Sequence, residues 1–176
     1  MGTPQVDIQV SDETGRWTVD ALPMILIPQH FFLNHHFALE RELGREKLKS
    51  LFHAAGYDSA YQWCEKEALH HGLKGVDVFF HYMKRISQRG WGQFKVVELD
   101  LENSKGSVEV RNSAFMDGAR RGNGRSSCYR FESWFEGSLD YIARASSLDR
   151  RFEAREVRCA SDGVSDACLF EIAPRA

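Results

Sequence analysis

Arg151-Phe-Glu-Ala-Arg-Glu156-Val-Arg-Cys159-Ala-Ser-Asp-Gly163-Val-Ser-Asp-Ala-Cys168-Leu-Phe-Glu-Ile-Ala173 reads as two strands joined by a loop that carries the turn-forming Ser161-Asp162-Gly163. Successive side chains of a strand point to opposite faces. Phe152, Ala154 and Glu156 therefore share one face, as do Cys168, Phe170 and Ile172. A hairpin lays these faces side by side, so a carboxylate sits among apolar neighbours and needs a partner there. Cys159 comes three residues after Glu156, which an ideal strand would point the other way. Both can serve one site only if a bulge or a strand end intervenes.

Upstream, Cys128 stands at the start of an amphipathic helix whose apolar face is Phe131, Trp134, Phe135, Leu139 and Ile142. The positive end of a helix dipole favours a thiolate. A helix packed on the hairpin can deliver Cys128 to the same spot as Glu156, Cys159 and Cys168. Three thiolates and one carboxylate form a closed tetrahedral set that suits zinc, in a structural rather than a catalytic role. The competing reading is that these are ordinary buried cysteines packing as small hydrophobes. Glu-x-x-Cys followed by a cysteine nine residues later is less diagnostic than paired Cys-x-x-Cys knuckles, so spacing alone leaves both readings open.

Working further outward, Phe94 to Leu101 and Ser107 to Phe115 form a second β-hairpin around Asn103-Ser104-Lys105-Gly106. Three helices precede it. Phe32, Leu33, His36, Phe37, Leu39 and Leu43 mark the first, which Gly44 ends. Leu48, Leu51, Phe52, Ala55, Ser59 and Trp63 mark the second, where Gly56 is expected to introduce a kink. Val76, Phe79, Phe80, Met83 and Ile86 mark the third, which ends at Gly90. Arg16 to Ile27 gives one or two short strands, and residues 1–15 read as a tail or loosely attached edge strand. The expected order is ββααα-ββ-α-ββ in one domain over residues 16–176, an α/β (α+β) fold with helices packed on an antiparallel sheet. Between strand and helix, the basic stretch Gly118-Ala-Arg-Arg-Gly122-Asn-Gly124-Arg125 misses the phosphate-loop spacing by one residue. It reads as a mobile loop, with an anion contact as the lesser alternative.

The 176 residues are 43% hydrophobic, enough for one core and too short for two, and a formal charge of -2 provides no overall pull toward nucleic acid or an anionic membrane. The longest apolar run, Ala21 to Ile27, is far short of a membrane span. The N-terminus lacks the regions of a signal peptide, so a cytoplasmic setting is expected, in which four cysteines are thiols or metal ligands rather than disulfides.

The segment from Ser127-Cys128 through Phe135-Glu136-Gly137-Ser138 to Glu156-Val-Arg-Cys159, Asp162-Gly163 and Cys168-Leu-Phe-Glu-Ile172 resembles the signature of 4-vinyl reductase-type, hydrocarbon-binding domains. Such domains also form the aromatic-sensing part of phenol- and xylene-responsive bacterial activators. Leu22 to Gly44, Gly90-Trp91-Gly92 and Asn112-Ser113 match more loosely. The resemblance implies structural zinc at Cys128, Glu156, Cys159 and Cys168, and a fold related to haem nitric-oxide sensors and trafficking-complex subunits, with an apolar cavity between helices and sheet. Its walls are expected from Phe37, Phe79, Phe80, Met83, Trp91, Phe94, Trp134 and Phe135, with His36, His81, Tyr82 and Tyr141 as polar contacts. The phenol-sensing relatives use a histidine and a tryptophan. Before Asn112-Ser113, where the tryptophan is sought, this chain has Val110-Arg111, so phenol itself is not the expected ligand. His35-His36 and His70-His71 are expected to be solvated helix residues, not haem ligands. No dinucleotide fingerprint, nucleophile-base pair or open metal site argues for catalysis. The expected function is therefore small-molecule binding or sensing, with homodimerisation and without direct contact to nucleic acid or membrane. A protein-interaction adaptor, or an accessory enzyme in reductive metabolism of an aromatic or tetrapyrrole substrate, is the alternative.

Overall fold

The structure is a computed structural model that describes residues 6–116 and 128–175, so the basic stretch Gly118–Arg125 lies outside the described residues. Strands β1 (Gln9–Val10), β2 (Trp17–Val19) and β3 (Leu22–Met24) form a small antiparallel sheet in that order, with β1 as the edge strand that was one of the two alternatives for residues 1–15. Asp20 and Ala21, at φ 52° and 60°, make the two-residue turn between β2 and β3. The Asp20 carboxylate ties this hairpin to the following helices by ion pairs to Arg85 and, at 3.0 Å, to Arg89.

Helices α1 (Gln29–Leu43), α2 (Arg45–His71) and α3 (Val76–Gln88) follow, then β4 (Gln93–Asp100), β5 (Lys105–Arg111), α4 (Arg130–Ala145), β6 (Phe152–Arg158) and β7 (Ala167–Pro174). The four longer strands form an antiparallel sheet ordered β4-β5-β7-β6, with the helices packed against it, which is the α+β architecture expected from the sequence. The inward faces of β5, β6 and β7 supply Val108, Val110, Phe152, Ala154, Cys168, Phe170 and Ile172 to the core. Phe79, Phe131, Phe135 and Leu139, all buried, complete it from α3 and α4.

Two features of α4 were not expected. First, α2 runs unbroken through Gly56. The glycine serves a close approach instead, since a Cβ there would collide with Ser133 Oγ and lie 2.9 Å from Trp134 Cδ1 of α4. Gly137 answers it from α4, where a Cβ would collide with the Tyr57 carbonyl oxygen. The two helices thus cross almost backbone to backbone. Second, α4 buries a row of carboxylates at four-residue spacing beside its apolar face: Glu132, Glu136 and Asp140. Strand β6 is an edge strand, and its outward amides are bonded by this row. Glu156 N–H donates to Glu132 Oε1 (3.0 Å), Ala154 N–H to Glu136 Oε1 (3.1 Å) and Phe152 N–H to Asp140 Oδ1 (2.9 Å). The remaining oxygens meet a matching row on α2: Lys49 to Glu132 (2.7 Å), His53 to Glu136 (2.9 Å) and Tyr57 to Asp140 (2.8 Å). Buried carboxylates are tolerable because both oxygens of each are bonded.

Candidate metal centre and ligand cavity

The three clustered cysteines arrive from three elements. Cys168 lies in β7 opposite Val110 of β5. In the β6–β7 ladder Glu156 pairs with Phe170 and Arg158 with Leu169, a register shift that places a bulge at Val157. After that bulge Cys159 returns to the side of Glu156. Cys128 immediately precedes α4. Its Sγ lies 3.4 Å from Cys168 Sγ, and Cys168 Sγ lies 3.7 Å from Cys159 Sγ, with all three side chains fully or nearly fully buried. One carboxylate oxygen of Glu156 joins them, and the four ligand atoms fall within 4.8 Å of one another.

This spacing is what a tetrahedral ion demands, since metal–sulfur bonds near 2.3 Å separate two sulfurs by roughly 3.8 Å. It is too long for a disulfide, and the cysteines are free. Ser113 accepts a hydrogen bond from Cys128 at 3.1 Å, while Ser161 and the Ala160 amide donate to Cys159 (3.1 Å) and Cys168 (3.3 Å). Hydrogen bonds from Cys128 and Cys168 hold the Cys159 thiol far below its usual value. The bond to Cys159, the contact with Cys168 and burial push Cys128 well above. A divalent cation replaces the protons such a set would otherwise share, so these residues can hold a metal ion. The fourth cysteine, Cys64, lies elsewhere, on α2, where burial raises its thiol.

A second constellation lies between α2, α3 and α4. One face of α2 presents Phe52, Gly56, Ser59 and Trp63. α3 and its end add Tyr82, Ile86 and Arg89, and α4 adds Arg130 and Trp134. Together with Met24 and Trp91 they line an open cleft of about 340 Å³. Gly90 and Gly92, both at positive φ, flank Trp91 and aim it inward, edge-on to Trp134 at 5.0 Å. Two buried donors on this wall, Trp63 Nε1 and Arg89 Nε, have no hydrogen-bond partner among the described residues.

Of the residues expected to line a cavity, Tyr82, Trp91 and Trp134 do so. Phe79, Met83 and Phe135 are buried in the core, Phe94 packs against it, and Phe80 faces outward on α3 at 49% exposure. Phe37 lies beside His36, with the rings 5.2 Å apart. Tyr141 stacks edge-on against Tyr61 at 5.4 Å. The two histidine pairs divide. His35 and His70 are exposed, but His36 is buried, and burial with the charges of Arg130 and Arg45 holds its imidazole down at about 4. His71 and His81 both turn to the buried Glu67 carboxylate, at 3.4 and 2.9 Å, forming a further set of possible ligand atoms. Phe52, Trp63, Arg89 and Arg130 were not anticipated as lining. The Phe52 to Trp63 face was legible as a helical period, but which side of α2 faces α4 is set by Gly56.

A family model described as a domain of unknown function, DUF5943, matches residues 2–97, a span that ends in β4 and so precedes all four candidate metal ligands. No curated protein matches the sequence. Among solved structures, the phenol-responsive sensory domain of the transcription activator PoxR, determined with phenol, is similar at TM-score 0.76 and 16% identity, over 95% of this chain and 84% of that one. A vinyl-4-reductase family protein from Methanocaldococcus jannaschii is similar at TM-score 0.56 and 16% identity, over 87% and 85%. Trafficking protein particle complex subunit 3 from Naegleria fowleri, covalently bound to palmitic acid, is similar at TM-score 0.57 and 10% identity, over 84% and 95%. At these identities the likeness establishes a shared fold. Among the described residues no helix is long and apolar enough to cross a membrane.

Proposed function

The chain belongs to the DUF5943 family, whose description states no activity, and from the geometry of its interior we propose that it is a small-molecule-sensing domain for an apolar or aromatic ligand, braced by structural zinc. The observation that carries this reading is the cavity between α2, α3 and α4. Five aromatic side chains, Phe52, Trp63, Tyr82, Trp91 and Trp134, form much of its wall, and the buried Trp63 indole N–H has no acceptor among the described residues. Ligand sites are typically apolar concavities with a few convergent polar groups, and about 340 Å³ is at the small end of their usual range. The PoxR domain, whose fold this chain shares, was solved with phenol. Zinc would be held by Cys128, Glu156, Cys159 and Cys168, filling all four positions and so fixing the β6–β7 hairpin and the start of α4 to one another.

The test has two parts. Metal analysis and native mass spectrometry should find about one zinc per chain, absent from Cys159→Ala, which melts at lower temperature. Metal-free wild type, with a variant equally stable, sinks the zinc assignment. Phenol and 1-naphthol should quench indole fluorescence saturably in the wild type and not in Ile86→Phe, which fills the cavity. No saturable response in the wild type sinks the ligand reading. One observation favours self-association as a second property: Ile25 and Leu26 are 84% and 77% exposed, next to half-exposed Ile27 and Phe31.

A further inference from the structure

Arg130 projects from the first turn of α4 into a cage of rings. Its Cζ lies 3.8 Å from the centroid of Phe52, 5.0 Å from Phe115 and 5.1 Å from Phe32. Among the described residues no carboxylate pairs with it. Cation–π contacts only partly offset the loss of water around a guanidinium.

Two more unmet polar groups surround the same rings. His36 has a side chain 1% exposed, and among the described residues neither ring nitrogen has a hydrogen-bond partner. Glu40 Oε2 stands 3.5 Å from Nε2, too poorly placed for a hydrogen bond, and an imidazole held neutral makes no ion pair with it. The His36 ring lies 6.1 Å from Phe52, 6.5 Å from Phe115 and 6.2 Å from Tyr129, whose buried hydroxyl is also without a partner. Arg45 and Lys49 stand over the outer face of Tyr129 at 5.0 and 5.7 Å, and Lys49 is already paired with Glu132. Arg130 itself lines the aromatic cleft, while the Tyr129 hydroxyl and the His36 imidazole do not line it and pack behind the same rings.

We infer that the ligand is a small aromatic carboxylic acid whose ring occupies the cleft and whose carboxylate is bound by Arg130. The inference rests on the reading of the cavity as a ligand site. A carboxylate matches the planar fork of Arg130, whereas a neutral ring leaves this partly buried cation without a counter-charge. The volume admits one ring or a fused pair rather than a long chain.

Isosteric pairs decide it: benzoate against benzamide and 2-naphthoate against 2-naphthamide, titrated calorimetrically into the full chain and into Arg130→Met. The wild type should prefer the acid by about 10- to 100-fold. Arg130→Met should lose that preference while its ligand-free melting temperature holds or rises, because an unpaired buried charge has been removed. Acid and amide binding the wild type equally, a comparison that needs no variant, overturns the inference and leaves the cavity reading intact. Retention of the acid preference in Arg130→Met also overturns it. If neither acid nor amide binds the wild type, the cavity reading falls and the inference falls with it.

Discussion

Sealed among Phe37, Phe52, Phe115 and Tyr129, the His36 imidazole can gain a proton only by placing a second cation near Arg130 in a nearly dry site. Its pKa falls from the ordinary value of 6.5 to about 4, so between those values the unfolded chain binds a proton that the folded chain does not. Stability from this group is fully present above pH 6.5 and is lost as pH falls through about 4, by up to about 3 kcal/mol. Urea melts at pH 7, 5.5 and 4 should show this decline, and His36→Phe should flatten it. An unchanged slope in the variant would assign the acid sensitivity elsewhere. At this scale the sequence was partly legible. Periodicity put His36 on the apolar face of the first helix, yet residue type argued for solvent, and only the packing of α2 and α4 decides between them. The clustering of Cys159 with Glu156 and Cys168 was more legible, because strand alternation put Glu156 and Cys168 on inward faces, and Cys159 could join them only past a bulge or strand end, such as the bulge now seen at Val157.

The carboxylate row of α4 is a property of an element rather than of any one residue. The role of Glu132, Glu136 and Asp140 was not legible in sequence, since nothing local reveals that an edge strand and the Lys49, His53 and Tyr57 row of α2 lie opposite. The same long-range contact explains why Gly56, expected to kink α2, instead lets α4 approach it. Asp140 holds the Phe152 amide, the Tyr57 hydroxyl and Arg151 at 2.9, 2.8 and 3.1 Å. Asp140→Ala should therefore cost about 2 to 4 kcal/mol in chemical denaturation, because a buried amide is left without an acceptor. Asp140→Asn keeps an acceptor oxygen and should cost distinctly less. Equal losses for the two would mean that packing, not hydrogen bonding to β6, is what Asp140 provides.

For the whole molecule, element order and class were legible from alternation and helical period, whereas at Gln9–Val10 a strand of only two residues left tail and edge strand as alternatives that the structure resolves in favour of the strand. The apolar surface at Ile25 and Leu26 could not be foreseen either, since exposure depends on how β3 leaves the small sheet. If that surface joins two copies, light scattering should give twice the chain mass for the wild type and a single chain mass for Ile25→Glu combined with Leu26→Glu, with the melting temperature of a dilute sample unchanged. A monomeric wild type rejects the dimer. Sheet topology limits how copies can meet by another route. Strand β4 pairs on one side only, and at the opposite end β6 has its outward amides bonded by α4. A sheet with one templating edge can be matched by one partner, edge to edge, and then has nowhere left to grow. The buried carboxylates of α4 thus act as a chain terminator for the four-stranded sheet: pairing of its edges between molecules would stop at two.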